Sequence, residues 1–304
     1  MLHNIAFTIE PSDVKIGRLD KIILARFPSS TRAYVHAAFR ADMIHVDHVS
    51  RPKAFNPPCG AVVTVLSLLE RQDRSVIPEN GDIEIVWSDA DLLAINKPGG
   101  WPCHPVSPGE FGTLANRLVA HYPELNRIGD DPLMPGLLHR IDTGTSGIVL
   151  CARSPEAFTS VRSQFAKHSV KKVYTAIVHG TIRETGGVSG YLAHSTSFRG
   201  RMRVVGPGPH PRGERAMFAE TFYRPLNIRD GQTRLEVTIY TGVTHQIRCQ
   251  LASIGHPIVG DAVYGTTAPL KGVHGEYHHL HATAIELLHP HTHAHLGIIC
   301  RPDF

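Results

Sequence analysis

Between residues 18 and 24 the apolar side chains Leu19, Ile22 and Ile23 recur at three- and four-residue spacing, which predicts a helix with one inward face. The cluster Pro28-Ser29-Ser30-Thr31 breaks that helix and offers an N-cap for a second helix over 32–40. Residues 43–46 and 61–66 are short apolar runs separated by a loop with Pro57, Pro58 and Gly60, and they predict strands. The segment 14–69 is therefore expected to be an αα-then-ββ module. Residues 70–79 are polar and without period, so a linker is placed at 71–80 between a small first domain, 1–70, and a larger one, 81–304.

In the larger domain, residues 82–87 alternate like a strand, Ser88-Asp89-Ala90-Asp91 turns it, and 92–95 return toward Lys97-Pro98-Gly99-Gly100. Helices are predicted over 113–122 and 154–168, the second opened by Ser154 as N-cap with Pro155 behind it. Strands follow at 173–178 and 234–240, then a helix over 245–254 closed by Gly255, then a strand over 280–288. The stretch 186–219 is rich in Gly, Pro and Arg with little periodicity, which predicts a long loop or distorted hairpin. Strands alternating with helices predict a mixed α/β fold.

Composition narrows the class. The 304 residues are 42% hydrophobic and 19% charged, with no apolar run of the roughly 20 residues that span a bilayer, so neither a membrane protein nor a disordered chain is expected. The net charge of +4 permits nucleic-acid binding without requiring it. The five cysteines are scattered and form no C-x-x-C pair, so no disulfide framework and no cysteine zinc site is expected. Glu10 and Asp13 stand where a leader would be basic, and the expectation is a cytoplasmic protein.

The most informative stretch is His139-Arg140-Ile141-Asp142-Thr143-Gly144-Thr145-Ser146-Gly147, set between the apolar runs Leu137-Leu138 and Ile148-Val149-Leu150. A carboxylate at a strand end, followed by a Gly/Thr/Ser turn, is displayed rigidly and suits a nucleophile or base, although an isolated Asp-Thr-Gly more often just caps its turn. The same letters describe an aspartic protease, but that chemistry needs two carboxylates sharing a proton, and a second Asp-Thr-Gly is missing. A second stretch, 240–251, predicts a strand ending at Gly242, a cap at Thr244, and Arg248 in the first turns of the helix, where it becomes a candidate partner for a carboxylate.

The chain resembles the RluA-type pseudouridine synthases on these residues. HRIDTGTSG is similar to that family's HRLDxxTSG, and GVTHQIRCQLASIGHPIVGDAVYG to GRTHQIRxHLxxxGHPxxGDxxYG. Residues 92–100 with His104-Pro105, 171–180, and Leu280-His281-Ala282 with His289-Pro290 match in the family's order. The resemblance implies a long, mostly antiparallel sheet with a cleft, and isomerisation of a uridine in RNA with no cofactor and no metal. It implies Asp142 as nucleophile, Arg248 as its partner, and Tyr174 stacking on the extruded uracil and assisting proton removal. Arg140 is implied to fill the space the base vacates, and His139, Thr145, Thr244, His245 and Gln246 to complete the substrate site. Val243 departs from the family's arginine, which predicts weaker phosphate contact rather than altered chemistry.

The segment 195–215, with Arg199, Arg201, Arg203, Arg212 and Arg215, resembles in position a loop that grips RNA. The opening segment is similar to an S4-type RNA-binding domain, in which Arg18, Lys21, Arg32, Arg40, Arg51 and Lys53 would face phosphate; Asp47-His48 replaces the usual Asn-Gly turn. The many histidines near the C-terminus raise a zinc reading, because His289, His291, His293 and His295 would share a face if extended, but the reading preferred is no metal. The expectation is a monomeric enzyme acting on structured RNA, ribosomal in preference to transfer RNA, with no membrane partner. The rivals are a non-catalytic RNA-binding protein on the same fold and, more remotely, an aspartic protease.

Overall fold

The computed structural model describes residues 2–70, 75–198, 200–206, 215–265 and 277–304. Two compact units share the chain: Met1–Asp82 with His104–Pro135, and Ile83–Cys103 with Gly136–Phe304. The first unit thus takes in a segment that the sequence division 81–304 had given to the larger domain.

In the first unit, β1 (Leu2–Thr8), α1 (Pro11–Ile16), α2 (Leu19–Arg26), α3 (Arg32–Arg40), β2 (Ile44–Val46), β3 (Val49–Ser50) and β4 (Val62–Leu68) are followed by α4 (Leu114–His121). The strands form an antiparallel sheet in the order β1-β4-β2-β3. Leu19, Ile22 and Ile23 of α2 and Val35 and Ala38 of α3 are buried in one cluster with Ile44, Val63 and Val65 of the strands, so the helical stripe does what its spacing predicts. Thr31 caps α3 by accepting the Tyr34 N–H at 3.2 Å. Asp47 and His48 both have positive φ, 49° and 65°, so Asp-His performs here the turn expected of Asn-Gly. Asp47 Oδ1 accepts the Val62 N–H at 2.9 Å, which ties that turn to β4. The 104–135 segment is held by Asn116, whose Nδ2 donates to Ile77 O and Glu110 O, and by Gly112, whose N–H donates to the Glu79 carboxylate.

The second unit comprises β5 (Glu84–Ser88), β6 (Leu92–Lys97), β7 (Ser146–Ala152), α5 (Pro155–Ala166), β8 (Lys171–His179), β9 (Gly186–His194), β10 (Met202–Val205), β11 (Met217–Arg229), β12 (Gln232–Ile239), α6 (Gln246–Ser253), β13 (Leu280–Leu288) and β14 (His295–Ile299). Its sheet runs β10-β9-β11-β12-β8-β13-β7-β6-β5, with β14 on β13, and every pairing is antiparallel except β13 with β7. This is the mixed, mostly antiparallel architecture expected. Of the long loop or distorted hairpin expected over 186–219, the hairpin is what forms: β9 and β10 pair antiparallel, and β11 begins at Met217. Gly186 and Gly187 of β9 lie opposite Tyr223 and Phe222 of β11, and a Cβ at Gly186 would stand 2.6 Å from the Tyr223 hydroxyl. The glycines that hid the strand are what lets it pair with aromatic neighbours.

β13 is the seam of this sheet, since β8 and β7 meet only through it. Ala282 of β13 is opposite Tyr174 of β8 on one side and Gly147 of β7 on the other. Gly147 has φ 106°, and a Cβ there would lie 2.6 Å from the Ala282 backbone nitrogen, so the junction requires glycine.

Candidate active site

The turn that displays Asp142 is fastened from several directions. Thr145 N–H donates to Asp142 O at 3.0 Å, and Gly100 N–H donates to Thr143 O at 2.7 Å. Lys97, fully buried at the end of β6, donates from Nζ to Pro98 O (2.9 Å), Trp101 O (2.8 Å) and Thr143 O (3.2 Å). Burial pulls its pKa down to about 8, against the opposing pull of Cys103 and Asp142. The Cys103 thiol donates to Ile141 O and accepts the Ile141 N–H, gripping the residue before Asp142. The carboxylate itself stays accessible, with 23% of its side chain exposed.

Arg248 reaches that carboxylate from α6. Its Nη1 donates to Asp142 Oδ2 at 2.9 Å, while Nε and Nη2 donate to the two oxygens of Asp261 at 2.7 and 2.9 Å. Asp261 is held in turn by the N–H groups of Val263 and Tyr264 on Oδ1. Burial works against the charge of Arg248, but the bonds to Asp261 and Asp142 overcome it and raise its pKa; burial likewise disfavours the Asp261 carboxylate, and Arg248 holds it below the usual range. The guanidinium engages both acids at once, which removes the basis for a proton shared between two aspartates.

Around this pair, Tyr174 is buried in β8, and burial, then the Asp142 charge, push its phenol above the ordinary value, leaving it neutral. His278 packs on Gly144, and its Nε2 lies 2.8 Å from Thr145 Oγ1; burial, then Arg248, lower its pKa to about 4. His245 faces Asp142 Oδ2 across 3.9 Å from Nε2 and meets the Tyr264 hydroxyl at 3.1 Å through Nδ1.

Several residues expected to touch substrate make contacts within the fold. Thr244 is exposed and does not cap α6, which begins behind His245 in a left-handed conformation. The helix entry is organised by Gln246, whose Oε1 accepts from Thr241 Oγ1 and Val243 N–H and whose Nε2 donates to Glu220 O and Thr221 Oγ1. His139 accepts the Leu150 N–H at 3.0 Å and lies against Phe165, and burial, then Lys172, lower its pKa to about 3. Thr145 is turned inward to His278. Arg140 is exposed; Arg201 lies 5.2 Å over the Tyr264 ring, and Arg203 is half-buried in β10. Arg199 and Arg212 lie outside the described residues. In the first unit, Lys21, Arg32 and Lys53 are exposed, Arg40 lies over Phe111 at 4.8 Å, Arg51 over Phe55 at 5.1 Å, and Arg18 donates to both oxygens of Asp20.

Lys97, Asp261 and Tyr264 carry no assigned role in the sequence reading, and His278 enters it only among the histidines that raise a zinc reading. The first three stand inside matched motifs, so the motif was the available signal, but not the role. The C-terminal histidines do not form an extended face, because His289 opens the turn from β13 to β14 and His293 has φ 55°. Asp89, Asp91 and His289 are close enough to hold an ion. Yet His289 Nδ1 accepts the N–H groups of His291 and Thr292, so Nε2 carries the proton, 2.6 Å from Asp89, and has no lone pair for a metal. Among the described residues, no helix is long and apolar enough to cross a membrane.

Residues 91–253 match the family described as RNA pseudouridylate synthase. The chain is 32% identical to ribosomal large subunit pseudouridine synthase D of Nitrosomonas europaea, over 93% of this chain and 80% of that protein. It is 35% identical to an RNA pseudouridine synthase of Chloroflexus aurantiacus, over 93% of this chain and 86% of the other. Among solved structures, human RNA pseudouridylate synthase domain containing 4 superposes with a TM-score of 0.54 at 26% identity, covering 72% of this chain and 89% of that one.

Proposed function

Since the chain belongs to the RNA pseudouridylate synthase family, enzymes that isomerise uridine within RNA, we propose that its substrate is structured ribosomal RNA and that Asp142 is its nucleophile. The ribosomal choice rests on relatives named for the large ribosomal subunit, and the cytoplasm is where such a substrate is met. The first unit, with its exposed Lys21, Arg32 and Lys53, acts as an S4-like RNA-binding module, and Arg201 and Arg203 add phosphate contacts on the second.

The observation that carries the reading is the way Arg248 meets Asp142. Both contacts to that carboxylate among the described residues fall on Oδ2, from Arg248 at 2.9 Å and His245 at 3.9 Å, so Oδ1 is the oxygen left to attack. An acid oriented by a guanidinium beside a neutral phenol suits covalent attack on the nucleotide followed by proton removal through Tyr174. Extruding the uridine from its stack costs a few kcal/mol, and Arg140, exposed two residues before Asp142, fills the gap. Asp142→Asn tests the assignment: pseudouridine formation on ribosomal RNA fragments is expected to vanish while RNA affinity stays within a few-fold. Turnover near wild type removes Asp142 from the role.

A further inference from the structure

The hydroxyl of Tyr264 sits at a junction that the reaction as read so far does not use. It accepts the Met202 N–H at 2.7 Å and lies 3.1 Å from His245 Nδ1. A phenol has one proton to give, and the backbone donor already occupies one lone pair. The acceptors facing that proton are His245 Nδ1 and the thiol of Cys249, and an imidazole nitrogen is much the stronger acceptor. Burial, more than any neighbour, raises the Tyr264 pKa to about 12, so the phenol keeps its proton at neutral pH.

The other end of the ring points the same way. His245 Nε2 faces Asp142 Oδ2 across 3.9 Å, where a lone pair would repel the carboxylate and an N–H would be drawn to it. The residue is held in place by a left-handed backbone, φ 54° and ψ 20°, a conformation that strains a non-glycine residue and is kept where the surroundings over-determine it. Arg248, Asp261, His194 and His278 also act on this ring or are acted on by it, and burial outweighs them in keeping it neutral.

We propose that Tyr264 is a positioning residue: by donating to His245 Nδ1 it fixes the histidine in the Nε2–H tautomer and aims that N–H at Asp142 Oδ2, so that Arg248 and His245 together leave Oδ1 as the attacking atom. The proposal rests on the reading of Asp142 as nucleophile. Because the same hydroxyl takes the backbone N–H of Met202, the strand that carries Arg203 is tied to the orientation of the acid.

The test is nitrogen NMR of the full chain labelled with ¹⁵N-histidine at neutral pH, with His245 assigned from the spectrum of His245→Gln. In wild type Nδ1 is expected to carry the shift of an unprotonated ring nitrogen and Nε2 that of a protonated one. In Tyr264→Phe the two tautomers are expected to mix, and kcat to fall at least about tenfold with KM within twofold. A wild-type proton on Nδ1, or an unchanged tautomer in Tyr264→Phe, overturns the proposal; should that variant not fold, the wild-type spectrum still decides. Turnover by Asp142→Asn would overturn the nucleophile instead, and would leave the tautomer measurement standing.

Discussion

Asp261 holds Arg248 at two points, Nε at 2.7 Å and Nη2 at 2.9 Å, and so turns Nη1 toward Asp142. The orientation of the partly exposed Asp142 is therefore set by an acid that solvent does not reach. Asp261→Asn is expected to lower kcat by about 10- to 100-fold, as when a group that orients an active residue is lost, with RNA affinity nearly unchanged. Asp261→Ala should also destabilise the fold by about 3–5 kcal/mol, because it leaves a buried guanidinium half-matched. Single-turnover kinetics and urea unfolding separate the two effects, and a kinetically silent Asp261→Asn would detach Asp261 from the reaction.

Acid should weaken the fold before its carboxylates are protonated. The ordinary histidine pKa of 6.5 falls to about 4 at His278 and about 3 at His139. Below pH 6.5 the unfolded chain binds protons that the native state refuses, so stability falls with pH until those lower values are reached; above 6.5 neither histidine contributes. The slope is about 1.4 kcal/mol per pH unit per histidine. Urea titrations at pH 7 and pH 5 should show it, and His278→Gln should flatten it by about one histidine's share.

Gly147→Ala is expected to cost about 2–4 kcal/mol, because alanine resists a φ of 106° and its methyl would strike the Ala282 backbone across the parallel junction. A melting temperature within a degree or two of wild type would mean that β7 and β13 can part there without loss.

The proposed RNA-facing surface of the first unit makes a prediction about salt. Lys53→Ala and Arg32→Ala should each shallow the slope of log affinity against log salt by about 0.7–0.9, while Arg18→Ala, whose charge is already matched by Asp20, should change it less. Equal slopes for all of these variants and wild type would remove this surface from RNA binding.

What sequence could show followed local chemistry. Helix α3 begins and ends where Thr31 and its apolar stripe place it, and β13 spans its predicted 280–288, because cap and periodicity are both contained in the stretch itself. β1 escaped notice since Asn4, at φ 51°, interrupts the alternation of Leu2, Ile5 and Phe7. The site was half legible. Asp142 and Arg248 meet as expected, but Asp261, Lys97 and His278 act through partners in other elements, and no local pattern records a bond from β6 to the carbonyl of Thr143. Thr244 has the letters of a cap, yet the left-handed His245 stands at the N-cap position one residue later with no side-chain cap bond, and Gln246 instead ties down the approach by accepting the Val243 N–H.

The place of β13 has a consequence for biosynthesis. A nascent chain that has not yet released residues 280–288 from the ribosome owns two separate half-sheets, with Tyr174 on one and Asp142 at the margin of the other, and lacks the strand that would bring them into line. The two halves can share one sheet only after residues 280–288 have emerged, and a product terminated before them lacks the strand that sets Tyr174 and Asp142 in register.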